Sequence, residues 1–304
     1  MDKRYAKTLV CIVGPTAVGK TSMAIDLANA YQTEIISADS RQFYKEMNIG
    51  TAKPNAEELA AAPHHFIDSH SISQDYSAGD FEVDALKLLE QLFEKHNIVI
   101  LTGGSGLFVN AVCYGLDKLP KPAAGVRETL TRTYESEGVT YLQERLKEVD
   151  PEYYNEVDHG NPQRMIRALE VFETTGLAFS KWRKKDLELR NFNILPIGLH
   201  MDRELLYERI NKRVDNMIRN GLLDEVKKLL PYREKGPLQS VGYSELFDYL
   251  DGTISLERAI ELIKRNSRRY AKRQLTWFKK MPEIEWFQPH EQKGIKDYIA
   301  TLEL

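Results

Sequence analysis

GPTAVGKT, residues Gly14 to Thr21, follows the apolar run TLVCIV and leads into an amphipathic stretch from Lys20 to Tyr31. Gly14 and Gly19 let the backbone turn its N–H groups inward on an anion, with Pro15, Thr16, Ala17 and Val18 forming the arc between them. The helix expected from Lys20 adds its positive end, Lys20 a mobile charge, and the Thr21 hydroxyl a ligand for Mg²⁺. Lying between a strand and a helix, the motif reads as a phosphate loop. It holds a di- or triphosphate without fixing the chemistry done on it.

Outward from the loop, EIISAD (Glu34 to Asp39), a helical period near Asp80 to His96 and NIVILTGG (Asn97 to Gly104) continue the alternation of strand and helix. Short β-rich runs separated by helical periods predict a doubly wound parallel sheet, an α/β core like that of the P-loop NTPases. Ligands gather at the carboxyl ends of such strands, and both Gly14 and Asp39 stand there. Two prolines in GLDKLPKPAAG mark a boundary. Residues 118–191 read as a helical insertion domain, and residues 1–117 and 192–304 as the core, resumed by a strand at FNILPIGLHM and closed by EIEWFQ and a last helix.

The chain has 304 residues, enough for a full core, and its formal charge of −3 gives no global attraction to nucleic acid, so an RNA site has to come from local clustering of its 42 Lys and Arg. Cys11 and Cys113 sit in apolar runs and read as buried thiols of a reducing compartment. No run is long enough to span a bilayer, and the apolar N-terminal run is too brief for a signal peptide. A cytoplasmic monomer without membrane contact is expected.

Phosphoryl-transfer enzymes of this class usually hold Mg²⁺ with an Asp at the tip of a second buried strand. Here that strand ends in Thr102-Gly103-Gly104, which weakens ATPase and motor readings. A small-molecule kinase stays open, because Asp39 can serve the same metal. Asp39 also reads as a general base, or as no more than a cap for the next turn, while Ser40 and Gln42 offer hydrogen bonds suited to a base edge. Thr102 reads either as part of the site or as a cap. Lys264 to Lys280, KRNSRRYAKRQLTWFKK, carries eight basic residues and no acid. On a helix Arg265, Arg269 and Arg273 align as a stripe suited to phosphates, with Tyr270, Trp277 and Phe278 expected in the core.

Taken in order, GPTAVGKT, ADSRQFY, HHFID, TGGSGLF, NPQRMIRALEV, VGYSEL and AKRQLTWF resemble the bacterial tRNA dimethylallyltransferase (isopentenyltransferase) family, from about Leu9 to Phe278. The resemblance implies transfer of a dimethylallyl group from dimethylallyl diphosphate to N6 of adenosine 37, beside the anticodon of tRNA, with Mg²⁺ as cofactor. It implies that the loop, with Lys20 and Thr21, holds the diphosphate of the donor, that Asp39 is the base on N6, and that Arg213 contacts the diphosphate. It assigns Asp39, Ser40, Arg41, Gln42, Thr102, the segment Gln163, Arg164, Met165, Ile166 and Arg167, and the arginines Arg269 and Arg273 to the anticodon stem-loop. The segment from Gln163 also reads as an ordinary helix start with solvated arginines. Rival expectations are an isopentenyltransferase acting on free AMP, ADP or ATP, and a nucleotide-binding regulator without prenyl chemistry.

Overall fold

The structure, a computed structural model, describes residues 6–183 and 188–301. Strand β1 (Thr8–Val13) runs into the phosphate loop and α1 (Lys20–Tyr31). There follow β2 (Ile35–Ser37), α2 (Ala56–Ala61), the two-residue strand β3 (His64–His65), α3 (Ala78–Lys95), β4 (Ile98–Gly103) and α4 (Gly106–Tyr114). The next four helices are α5 (Val126–Glu137), α6 (Val139–Val149), α7 (Pro151–Glu156) and α8 (Pro162–Thr175). The chain then returns with β5 (Asn193–Leu199), α9 (Arg203–Arg219), α10 (Leu222–Leu229), α11 (Ser244–Leu250), α12 (Leu256–Phe278), β6 (Glu285–Phe287) and α13 (Gln292–Ala300).

Six strands form one sheet in the order β3-β2-β4-β1-β5-β6, every neighbouring pair parallel. β1 lies between β4, in the register Thr8 to Ile98, and β5, in the register Thr8 to Asn193. Every residue of β1 is buried, as a central parallel strand covered on both faces requires. Its side chains alternate between two cores: Leu9, Cys11 and Val13 join Phe81, Leu89 and Val109, whereas Val10 and Ile12 join Met23, Leu27 and Ile210. Helix α1 therefore covers one face and α4 the other. Because β1 and β4 are adjacent while their following helices leave to opposite faces, a crevice opens at the carboxyl ends of these two strands.

Two glycines let the strands approach there. Gly14 adopts φ +147°, and a Cβ on it would lie 2.6 Å from the Leu199 carbonyl oxygen. A Cβ on Gly103 would lie 2.4 Å from the Ala38 carbonyl oxygen. Only glycine fits at either position.

The chain divides into two compact units, Met1–Tyr114 with Leu189–Leu304, and Gly115–Glu188. The smaller unit begins and ends slightly before the range 118–191 expected from the proline boundary. Its core is built from Leu130, Leu142, Leu146, Val157, Met165, Ile166 and Leu169. The fully buried Glu170 is held by Arg127 and Arg167, whose Nη1 lies 3.3 Å from it. Asn161 caps α8 by accepting from the Arg164 N–H, and Pro162 occupies the first turn, where its missing N–H costs nothing.

Outside the crevice, HHFID has structural work. His65 Nε2 lies 2.7 Å from Glu34, tying edge strand β3 to the amino end of β2, with which it pairs, while His64 Nδ1 lies 2.8 Å from the neighbouring Ala62 carbonyl oxygen. Cys11 and Cys113 are buried thiols with sulfurs 3.4 Å apart, and burial raises the Cys11 pKa. No helix among the described residues is long and apolar enough to cross a membrane.

Candidate active site

The phosphate loop folds as its glycines dictate. Gly19 takes a left-handed φ of +114° ahead of α1, and no side chain caps that helix, so its first N–H groups are left for a ligand. The Lys20 Nζ folds back to donate to the carbonyl oxygens of Gly14, at 3.1 Å, and Pro15, at 2.9 Å. Burial lowers its pKa to about 8; Asp39 opposes that shift and Arg213 adds to it.

Two cavities meet at this point. One, of about 570 Å³, is lined by loop residues including Lys20 and Thr21, by Ser37, Asp39, Gln42 and Thr102, and by Arg209 and Arg213. The other, of about 540 Å³, is lined by Ser40 and Arg41, by Val214, Met217 and Ile263, and by Arg269 and Arg273. Thr16, Asp39, Arg213 and Tyr270 line both. The structure thus gathers the loop, the carboxylate after β2 and the arginine of α9 around one junction.

Asp39 both caps and faces the cavities: one carboxylate oxygen accepts from the Arg41 N–H at 3.0 Å, and its charge acts on Lys20, Arg213 and Tyr270. Arg213 is half-buried, and loss of water lowers its pKa against the pull of Asp39. Arg209, one turn earlier, is exposed and lines only the first cavity. Gln42 is held by Ser37 and by the carbonyl oxygens of Thr51 and Ala52. The segment 48–50 beside them is pinned where the Glu225 carboxylate accepts three successive backbone N–H groups and the Tyr243 hydroxyl.

Several expectations need correction. Met165 and Ile166 are completely buried in the core of the smaller unit, so their side chains do not reach RNA; on α8 only Gln163 and Arg164 of that segment are exposed, and Arg167 is partly engaged with Glu170 and the Pro120 carbonyl oxygen. Thr102 is buried and donates its hydroxyl to the Ile12 carbonyl oxygen across β1 and β4, which leaves it only acceptor capacity at the cavity floor. Phe278 is core as expected, but Tyr270 and Trp277 are each 37% exposed. Arg265, Arg269 and Arg273 do form an exposed row along α12.

The residue that motif reading passed over is Gln274. It is buried, donates to the Gly104 carbonyl oxygen at 2.9 Å and accepts from the Thr16 N–H at 2.8 Å, so it clamps the phosphate loop to the second glycine turn. Its signal was helical spacing, since it stands one turn beyond Tyr270 on the side of α12 that faces the crevice.

The chain is similar over nearly its whole length to proteins of one kind. The IPP transferase family profile matches residues 42–281. The chain belongs to the IPP transferase family. It is 53% identical to the tRNA dimethylallyltransferase of Christiangramia forsetii, over 96% of this chain and 97% of that one. Identity is 47% with tRNA dimethylallyltransferase 1 of Bacteroides fragilis, over 97% and 98%. Among solved structures, the tRNA isopentenylpyrophosphate transferase of Bacillus halodurans superposes with a TM-score of 0.72 at 41% identity, over 97% of this chain and 96% of that one. A eukaryotic dimethylallyltransferase acting on tRNA superposes with a TM-score of 0.80 at 28% identity, over 97% and 80%. The chain is therefore a transferase with a P-loop-like α/β core, and its phosphate loop lies just ahead of the segment the profile matches.

Proposed function

We propose that the protein transfers the dimethylallyl group of dimethylallyl diphosphate to N6 of the adenosine next to the anticodon of tRNA, releasing diphosphate. The observation that carries this reading, in a member of the IPP transferase family, is the shared junction: a carboxylate, Asp39, faces the same cavity as the phosphate loop. Prenyl transfer needs a base opposite a departing diphosphate, and a carboxylate across the cavity from a phosphate-type loop supports that reading.

In the reaction the C1–O bond to diphosphate breaks as the N6–C1 bond forms, and the N6 proton passes to Asp39. N6 is a weak nucleophile because its lone pair is delocalised into the adenine ring, so removal of its proton counts. The leaving diphosphate gathers charge, which the loop N–H groups, Lys20 and Arg213 would offset. The loop also fits Mg²⁺: the Thr21 hydroxyl supplies a hard oxygen in the same cavity. Among the described residues no cluster of three or more His, Cys, Asp or Glu is arranged to hold a metal, so oxygens of the diphosphate would complete the shell. When bound, Mg²⁺ supplies Lewis-acid neutralisation of the diphosphate.

Exposed Arg269 and Arg273 on α12 supply cationic contacts suited to the phosphates of a single-stranded anticodon loop. Incubation with labelled dimethylallyl diphosphate and either unmodified tRNA or AMP tests the proposal. Label should enter tRNA and not AMP; label in AMP alone would overturn it in favour of an adenylate isopentenyltransferase.

A further inference from the structure

Four residues line both cavities at their junction: Thr16, Asp39, Arg213 and Tyr270. Three present polar or charged groups. Tyr270 alone presents a broad carbon face at the place where bond exchange would occur. An allylic carbon losing diphosphate is open to attack by any water within reach, so a prenyl transferase has to keep water from that carbon until N6 takes it.

Tyr270 stands on α12 one turn before Gln274, whose bonds to the Thr16 N–H and the Gly104 carbonyl oxygen hold that side of the helix against the phosphate loop. The Arg273 guanidinium lies over the ring, 5.8 Å from its centroid. Burial raises the phenol pKa to about 12, with the nearby Asp39 charge adding to the shift, so the side chain stays a neutral phenol at working pH. The residue is 37% exposed and lines both cavities.

We propose that the Tyr270 ring is the partition between the two cavities that shields the allylic carbon from water, so that C1 is captured by N6 rather than hydrolysed. This inference rests on the prenyl-transfer reading. With the shield lost, the C1–O bond to diphosphate still breaks, but a water oxygen bonds to C1, a water proton passes to solvent, and the products are dimethylallyl alcohol and diphosphate. Tyr270 acts as a positioning and shielding residue, and Asp39 remains the base.

The test measures the ratio of dimethylallyl alcohol to prenylated tRNA, formed by full-length protein from labelled donor and unmodified tRNA. Tyr270→Ala should raise that ratio by about tenfold, equivalent to about 1.4 kcal/mol in the competing barriers, while Tyr270→Phe keeps the ring and stays near the unaltered protein. Because Tyr270 is part-exposed on a helix where Ala is well tolerated, the Ala variant should fold, as circular dichroism would verify. An unchanged ratio in Tyr270→Ala, whatever the overall rate, overturns the inference; so does an equal rise in Tyr270→Phe, since the hydroxyl and not the ring would then matter. If the unaltered protein delivers no label to tRNA, the functional reading fails and this inference with it. If it does deliver label and the ratio in the Ala variant is unmoved, only the shield fails.

Discussion

Asp39 caps the turn after β2 and, in the proposed reaction, is also the base. Its hydrogen bond from the Arg41 N–H fixes the carboxylate at the end of β2, and its charge acts on Lys20 and Arg213. Asp39→Asn keeps the shape and loses the base, so prenyl transfer should fall by about 10² or more while tRNA affinity changes little; single-turnover transfer and filter binding measure the two separately, and undiminished turnover would remove Asp39 from its role. Lys20 gives a pH dependence whose sign follows from burial. Its ammonium is charged below about pH 8 and neutral above it, so the rate constant kcat/KM for the donor should decline as pH rises through that value, because the free enzyme loses a positive charge from the diphosphate site. Lys20→Arg should move that decline to higher pH. At this scale the sequence was legible in the placement of the glycine loop and of the acid after the second strand, which the structure brings to one cavity. It failed where a contiguous motif was taken as a contiguous surface: Met165 and Ile166 lie between exposed Arg164 and half-buried Arg167 because a helix turns successive residues to different faces.

At the scale of elements, α12 carries three separate tasks on three sides. Phe278 packs into the core, Tyr270 and Gln274 face the crevice, and Arg265, Arg269 and Arg273 form an exposed row of which Arg269 and Arg273 also rim the second cavity. Composition alone revealed the basic row but not the crevice side, because Gln274 and Tyr270 carry no charge pattern and the partners of Gln274, Thr16 and Gly104, are distant in the chain. Arg269→Ala should weaken tRNA binding and reduce the slope of log K against log salt by about one, as removal of one phosphate contact does; titrations at several salt concentrations check it, and an unaltered slope would return Arg269 to plain solvation. The strands β1, β4 and β5 were readable as short apolar β-rich runs flanked by helical periods. Strand β3 was not, since two histidines hold no period, and its place at the sheet edge is set by the Glu34 bond to His65 and by pairing with β2.

The molecule as a whole places a sparse set of polar groups at one topological crevice, with α1 and α4 leaving to opposite faces of the sheet. The order β3-β2-β4-β1-β5-β6 makes that crevice unavoidable once β1 and β4 are neighbours. That order depends on pairings between segments far apart in sequence, beyond the reach of periodicity, although parallel alternation and the position of the loop were enough to expect the site at the carboxyl ends of strands. A net charge of −3 coexists with a basic row on one helix, so attraction for RNA is local. The central claim is that the glycine loop grips a diphosphate attached to a prenyl carbon while Asp39 addresses an adenine across the junction. A crystal structure of the protein with tRNA and a non-hydrolysable thio analogue of dimethylallyl diphosphate tests it most directly. The diphosphate should lie against the N–H groups of residues 16–21 with an Asp39 oxygen about 3 Å from N6; a diphosphate bound elsewhere, or Asp39 out of reach of the flipped adenine, would overturn the reading.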